Sequence, residues 1–244
     1  MFINIQGGIS KICLHSKRYP TTCSVQILTS SNSLSNMLKP ILHQIGAKRV
    51  VLASGSPRRQ ELIQNLGISN VQLCPSTFEE NLDPSLYSFS DYVAMTALGK
   101  VREVYERLSK DDATKADVVI GADTMVTMDG QMYGKPKTPE HAFEVLQKLV
   151  GRTHTVYTGV VIKYHEKEVK FTESCKVHFG KATDAQIQAY VDTGEPLDKA
   201  GGYGIQGLGG NFVERIEGDY FTVVGLPMYR LSVELCKLFD YHVE

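Results

Sequence analysis

A chain of 244 residues carrying 26 Lys and Arg against 27 Asp and Glu, a formal charge of -1, has no general attraction for nucleic acid or an anionic membrane. Its 42% hydrophobic and 22% charged content is ordinary for a soluble protein, and its length can bury a sizeable core as one large domain or two lobes. No apolar run reaches the roughly 18 residues of a membrane span. The five cysteines (Cys13, Cys23, Cys74, Cys175, Cys236) are scattered, without C-x-x-C spacing. They read as reduced intracellular thiols, not as a zinc site or a disulfide framework. An anionic ligand must therefore be held by a local basic cluster.

Residues 1–36 contain no Asp or Glu, carry Lys11, Lys17 and Arg18, and are rich in Ser and Thr. That composition suits a mitochondrial transit peptide or an unstructured extension. The single arginine and poor helical amphipathicity favour the extension, with Met37 as an internal start and a cytoplasmic domain over 37–244.

From Arg49 the pattern becomes regular. Val50 to Ala53 form a short apolar run expected to be a buried strand, and Ser54-Gly55-Ser56-Pro57 a tight turn into a helix. Leu62, Ile63 and Leu66 mark the helix's inner stripe and Gly67 its left-handed stop. Arg58 and Arg59 stand at its mouth, where free N–H groups and the helix dipole favour phosphate. Taken alone, the stretch is equally compatible with a structural strand-turn-helix carrying solvated arginines.

Val71 to Cys74 read as a second strand, and the loop that follows holds Glu79, Glu80 and Asp83. Such a cluster is a solvated acidic loop or a source of metal-binding carboxylate oxygen. Ser90 to Ser109 is expected to be a long helix with Val93, Ala97, Val101, Val104 and Leu108 inward and Lys100 beside that stripe. Gly99 within it hints at a close backbone contact, since it costs about 1 kcal/mol relative to Ala. Ala116 to Ile120 read as a buried strand closing on Gly121-Ala122-Asp123-Thr124. An acid just past the carboxyl end of a core strand sits where open α/β sheets put ligands, so Asp123 is the first choice for a catalytic carboxylate. By itself, without the other motifs, it reads better as a cap of the turn.

Met125–Thr127 and Gln131–Tyr133 suggest a hairpin about Asp129-Gly130, and Gly134-Lys135-Pro136 brings another lysine to the rim. A helix opens at Thr138-Pro139 with Phe143, Leu146 and Val150 inward, ending at Gly151. Thr153–Tyr164 and Val169–Phe179 alternate as paired strands, and His154, His165 and His178 show no ligand spacing. Thr183 and Gln186 have capping-box spacing. Glu195 to Gly210 form a glycine-rich stretch with Asp198, Lys199, Tyr203 and Gln206 interspersed, matching neither a dinucleotide fingerprint nor a P-loop. The chain closes with expected strands Phe212–Ile216 and Tyr220–Val224 and a helix from Pro227 with Leu231, Leu235 and Leu238 inward. Alternating strands and helices with late hairpins indicate an α/β fold, a mixed, partly parallel twisted sheet in two lobes.

Four separated segments, SGSPRR, GADT, GKP and LDKAGGYGIQGLGG, occur in the order found in the Maf-like nucleotide pyrophosphatases. The chain resembles that family from about Lys48 to its C-terminus. The resemblance implies a cleft between the lobes, a fold similar to that of inosine triphosphate pyrophosphatases, often a homodimer, and hydrolysis of a nucleoside triphosphate to the monophosphate and pyrophosphate. It places Asp123, Glu80 (favoured over Glu79 by spacing), Lys100 and Lys135 in the active site. Ser54, Arg58, Arg59, Thr124 and Gln206 fall to the substrate, and a divalent cation, Mg²⁺ or Mn²⁺, to Glu80 and Asp123. Whether Asp123 is base, metal ligand or both stays open. Arg58, Thr124 and Gln206 look like those of the branch that hydrolyses dTTP and UTP, not the 7-methyl-GTP branch. The alternative is a nucleotide-binding regulatory protein without turnover, against which the intact charged set argues.

Overall fold

A computed structural model describes residues 37–68 and 70–241; the extension expected over residues 1–36 lies outside the described residues. Short helix α1 (Leu42–Gly46) leads into β1 (Val50–Leu52), and the chain then turns into α2 (Pro57–Asn65), with Pro57 in the first helical turn. β2 (Gln72–Leu73) is brief and exposed, and α3 (Phe89–Leu108) is the longest helix described, N-capped by Ser88. β3 (Val118–Met128), β4 (Gln131–Tyr133), α4 (Pro139–Leu149), β5 (Thr153–Tyr164) and β6 (Lys167–Phe179) follow, then α5 (Asp184–Val191), whose Thr183–Gln186 capping box is complete. The glycine-rich stretch forms 3₁₀ turns, and β7 (Val213–Glu217), α6 (Tyr220–Val224) and α7 (Met228–Leu238) complete the chain.

The sheet has seven strands in the order β2-β1-β3-β5-β6-β7, with β4 also on β3. β1 runs parallel to β2 and β3, and the other pairings are antiparallel. The sheet is therefore mixed and partly parallel, as the strand–helix alternation indicates. Side chains alternate across its faces with period two. On one face Val119 and Val161 pack with Ala97, Val101, Val104 and Leu108 of α3. On the other, Val118, Ile120, Ala122 and Ile162 pack with α1, α2 and α7 through Ile45, Leu62, Ile63, Leu231 and Leu235. A further core gathers Val126, Met128, Val156 and Val177 with α4 and α5. The inner face of α4 is Ala142, Val145, Leu146 and Leu149, so the expected Phe143 and Val150 flank it. Each fully buried Leu, Ile or Val contributes about 1.5–3 kcal/mol. The α3 stripe thus outweighs the cost of its internal glycine.

Two further expectations change. Tyr220–Val224 is helical, not a strand. Asp219 caps it, accepting from Thr222 N at 2.7 Å and from the Thr222 hydroxyl at 2.8 Å. A cap satisfies helix-end donors, and here it overrides the β-preference of Tyr, Phe, Thr and Val. Nor does the strand at Ile120 end before the GADT segment. β3 continues through Asp123 because β5 pairs with it without a break from Val118 to Thr127.

The opposite edge of β3 is divided. β1 pairs only as far as Leu52 with Ile120, and Ala53 N makes the last bond, to Ile120 O. β4 takes up the edge from Val126. Between them the stretch from Gly121 to Met125 has no strand on that side among the described residues, and the cleft opens there. Asp123 is at its centre.

Candidate active site

The cleft encloses about 810 Å³ and is lined by the SGSPRR turn, β3, the glycine-rich stretch and part of α3. Six cationic side chains on its walls, Arg58, Arg59, Lys100, Lys135, Lys137 and Lys199, face three carboxylates, Glu80, Asp123 and Asp198. This is the local basic cluster that the near-neutral chain requires of an anion site. A smaller recess of about 340 Å³ beside α5 contains Lys181 but no carboxylate.

Asp123 and Thr124 are adjacent in a strand and point to opposite faces. Asp123, 7% exposed, faces α3, where Lys100 Nζ lies 2.7 Å from its Oδ1 and 2.8 Å from Glu80 Oε1. Two glycines make this close approach. Gly159 is directly opposite Asp123 on β5, and an added Cβ would lie 2.6 Å from Ala94 N and Val93 C of α3. Gly99 seats the Phe78 ring, at 2.4 Å from an added Cβ, so the close contact at this helix glycine is with a side chain. Glu103 accepts from Ser76 Oγ at 2.8 Å and Thr77 N at 3.0 Å, so the Glu80 loop is fastened to α3.

Thr124 turns toward α2. Arg59 Nη2 donates to its Oγ1 at 2.9 Å and Arg59 Nε to Gly225 O at 2.8 Å, with Nη1 3.4 Å from Ser54 Oγ. Burial pulls the Arg59 pKa down; Asp123 opposes that, Arg58 adds to it, and Glu80 opposes it. Arg59 is thus a post under the turn, touching Ser54 and Thr124. Arg58 faces the other way. Its Nη1 is 3.1 Å from Asp198 Oδ2, which ties α2 to the glycine-rich stretch, and Lys199 holds the other Asp198 oxygen. Burial pushes the Asp198 carboxyl up, but bonds from Lys199 and Arg58 outweigh it and leave its pKa below the ordinary value.

Gln206 is exposed on the cleft wall, and its amide has no hydrogen-bond partner among the described residues. Its turn is held from behind. Glu195 accepts from Leu208 N at 2.9 Å, Gly209 N at 3.1 Å and the Tyr190 hydroxyl at 3.0 Å. Lys135 reaches the cleft without an ion-pair partner among the described residues, as does Lys137, which sequence reasoning missed. Tyr92 was missed too. Burial raises its pKa, and the charges of Asp123 and Glu80 add to that, so it stays a neutral phenol in the cleft.

Residues 49–238 match a family model described as Maf-like protein. The chain belongs to the Maf-like family. Among relatives of this Maf-like protein, the dTTP/UTP pyrophosphatase of Bacillus cereus (strain G9842) is 47% identical over 196 residues, 80% of this chain and 98% of that one. The dTTP/UTP pyrophosphatase of Clostridium botulinum (strain Eklund 17B / Type B) is 45% identical over 189 residues, 77% of this chain and 97% of that one. A human relative, "Probable bifunctional dTTP/UTP pyrophosphatase/methyltransferase protein", is 43% identical over 212 residues, 83% of this chain but 34% of that longer one. The chain thus spans about a third of the human relative's length.

Beneath the glycine-rich wall of the Maf-like protein, His154 is 1% exposed, with Nε2 2.8 Å from the Tyr203 hydroxyl. Burial, aided by His178, lowers its pKa from 6.5 to about 4. The neutral ring is the one that fits, so its stabilisation is complete above pH 6.5 and is lost as pH falls through about 4. The full shift corresponds to about 3 kcal/mol. Thermal melts are expected to show Tm falling between those pH values, with a shallower slope in His154→Asn. Equal slopes would remove His154 as the cause.

Proposed function

We propose that this Maf-like protein hydrolyses dTTP and UTP to the monophosphate and pyrophosphate. The observation that carries the reading is Lys100 bridging Glu80 and Asp123 at the stretch of β3 between β1 and β4, inside a cleft rimmed with cations. The relatives named dTTP/UTP pyrophosphatase, matched over nearly their full length, support the same substrates.

In this reading the triphosphate lies against the turn from Ser54 to Arg59, where α2 begins with no acidic residue in its first turn. Helix-start N–H groups and arginine suit phosphate oxygens. Arg58 exchanges Asp198 for phosphate, and Lys100, Lys135 and Lys137 offset the remaining charge. Asp123 Oδ1 is taken by Lys100, while Oδ2 has no protein partner among the described residues. Oδ2 therefore accepts a hydrogen bond from the attacking water and takes its proton. The water oxygen bonds to the α-phosphorus, the bond to the bridging oxygen of the β-phosphate breaks, and pyrophosphate leaves against the lysines.

A divalent cation, Mg²⁺ or Mn²⁺, belongs to this reading, and the donor set suits it. Glu80 and Asp123 flank the Lys100 ammonium, which takes one oxygen of each, so their remaining oxygens would be the ones to hold the ion; Mg²⁺ commonly takes one or two carboxylates with substrate phosphates and water completing its shell. When bound, such an ion neutralises phosphate oxygens and stabilises the leaving group.

The base falls to the wall bearing Thr124 and Gln206. An amide that can donate and accept complements the imide edge of uracil or thymine. Cytosine reverses that edge, and a purine is larger. Pyrophosphate release with Mg²⁺ should therefore be well above background for dTTP and UTP and weak for CTP, ATP and GTP. Binding of dTTP without release would leave a regulatory nucleotide binder instead. Gln206→Ala is expected to lower kcat/KM for UTP about tenfold and to change CTP less, because buried unpaired groups cost about 1–3 kcal/mol. Equal losses would mean that Gln206 only shapes the loop.

A further inference from the structure

Thr158 lies directly opposite Thr124 on β5 and is wholly buried. It does not line the cleft. Its Oγ1 is 2.9 Å from Thr124 Oγ1 and 2.8 Å from the carbonyl oxygen of Thr222 in α6. A carbonyl can only accept, so the single hydrogen of the Thr158 hydroxyl is committed to Thr222. The Thr158 oxygen must then accept from Thr124. The opposite arrangement would strip this bond from a carbonyl beneath a residue that is 0% exposed.

The consequence falls on Thr124, the partly exposed member of the pair and part of the cleft wall. Its hydrogen points inward to Thr158, and one oxygen lone pair receives Arg59 Nη2 at 2.9 Å. What remains for a ligand is a lone pair. We propose that Thr158 is a specificity-determining positioning residue that fixes the Thr124 hydroxyl as a hydrogen-bond acceptor toward the base. An acceptor pairs with the imide N–H of uracil or thymine and opposes the bare ring nitrogen at the same position of cytosine. The inference rests on the dTTP/UTP reading and adds a second selector beside the Gln206 amide.

The test compares kcat/KM for UTP and CTP in the full-length protein and in three variants. Thr158→Val keeps the shape but removes the oxygen, so the Thr124 hydroxyl is free to rotate and donate to cytosine. Thr158→Ala removes the same oxygen in a smaller side chain and serves if the valine variant does not fold. Thr158→Ser keeps the hydroxyl. The expected result is a UTP-to-CTP ratio reduced about tenfold in the valine and alanine variants and retained in the serine variant. A ratio unchanged without the hydroxyl, or reduced equally by serine, would overturn the proposal while leaving the pyrophosphatase reading intact. Failure of the wild type to hydrolyse UTP would overturn both.

Discussion

Asp123→Asn is expected to lower kcat by about 100-fold or more, the scale of a lost general base. The change is nearly isosteric. Asn can still offer an oxygen to Lys100, which now lies 2.7 Å from Oδ1, and the β3–β5 pairing at Asp123 and Gly159 involves only the main chain. The fold should therefore survive while the proton acceptor is lost. Steady-state pyrophosphate release from dTTP, with a thermal melt to confirm folding, measures the effect. Turnover near the wild-type rate would take the role away from Asp123.

Gly159→Ala is expected to damage both stability and turnover although residue 159 bears no functional group. The new methyl would lie 2.6 Å from Ala94 N and Val93 C and 2.7 Å from Val93 O. These are backbone atoms of α3 that cannot rotate aside, so the helix must move off the sheet. Overpacking of this kind costs about 1–3 kcal/mol, or a Tm lower by about 3–10 °C for a domain of this size. Lys100 travels with α3, and a 1 Å misplacement of a charged group can cost about 100-fold in rate. Gly46→Ala is the control, because an added Cβ there meets nothing within 4 Å. If Gly159→Ala melts and turns over like Gly46→Ala, the glycine is not what seats the helix.

Most helices were legible because their signals are local. Pro57, Thr138 and the Thr183–Gln186 pair start α2, α4 and α5, and the apolar stripe of α3 is buried as its spacing implies. Tyr220–Val224 misled because its side chains favour strands while the deciding group, the Asp219 carboxylate, stands just outside the segment. Asp123 was singled out correctly as a cleft residue but for an incomplete reason. The end of the parallel pairing with β1 was visible as an apolar run stopping at Ile120; the continuation on β5 was not. Gly159 left a usable trace, since glycine inside a strand often marks a close backbone approach. Tyr92, Lys137 and Thr158 left none.

By itself the sequence determined the α/β class, the family through four ordered motifs, and most of the charged groups that line the cleft, Lys137 excepted. Those depend on residue type, periodicity and short-range caps, all of which are written along the chain. Tertiary structure alone decided which of them meet. Arg58 reaches Asp198 across 140 positions while its neighbour Arg59 takes Thr124 across 65, a division of labour that no reading of Arg-Arg contains. It follows from the orientation of α2 on the sheet and from strand alternation, which sends Asp123 to Lys100 and Thr124 to Arg59. Register between distant strands sets such pairings, and register is a property of the packed sheet, not of any one segment.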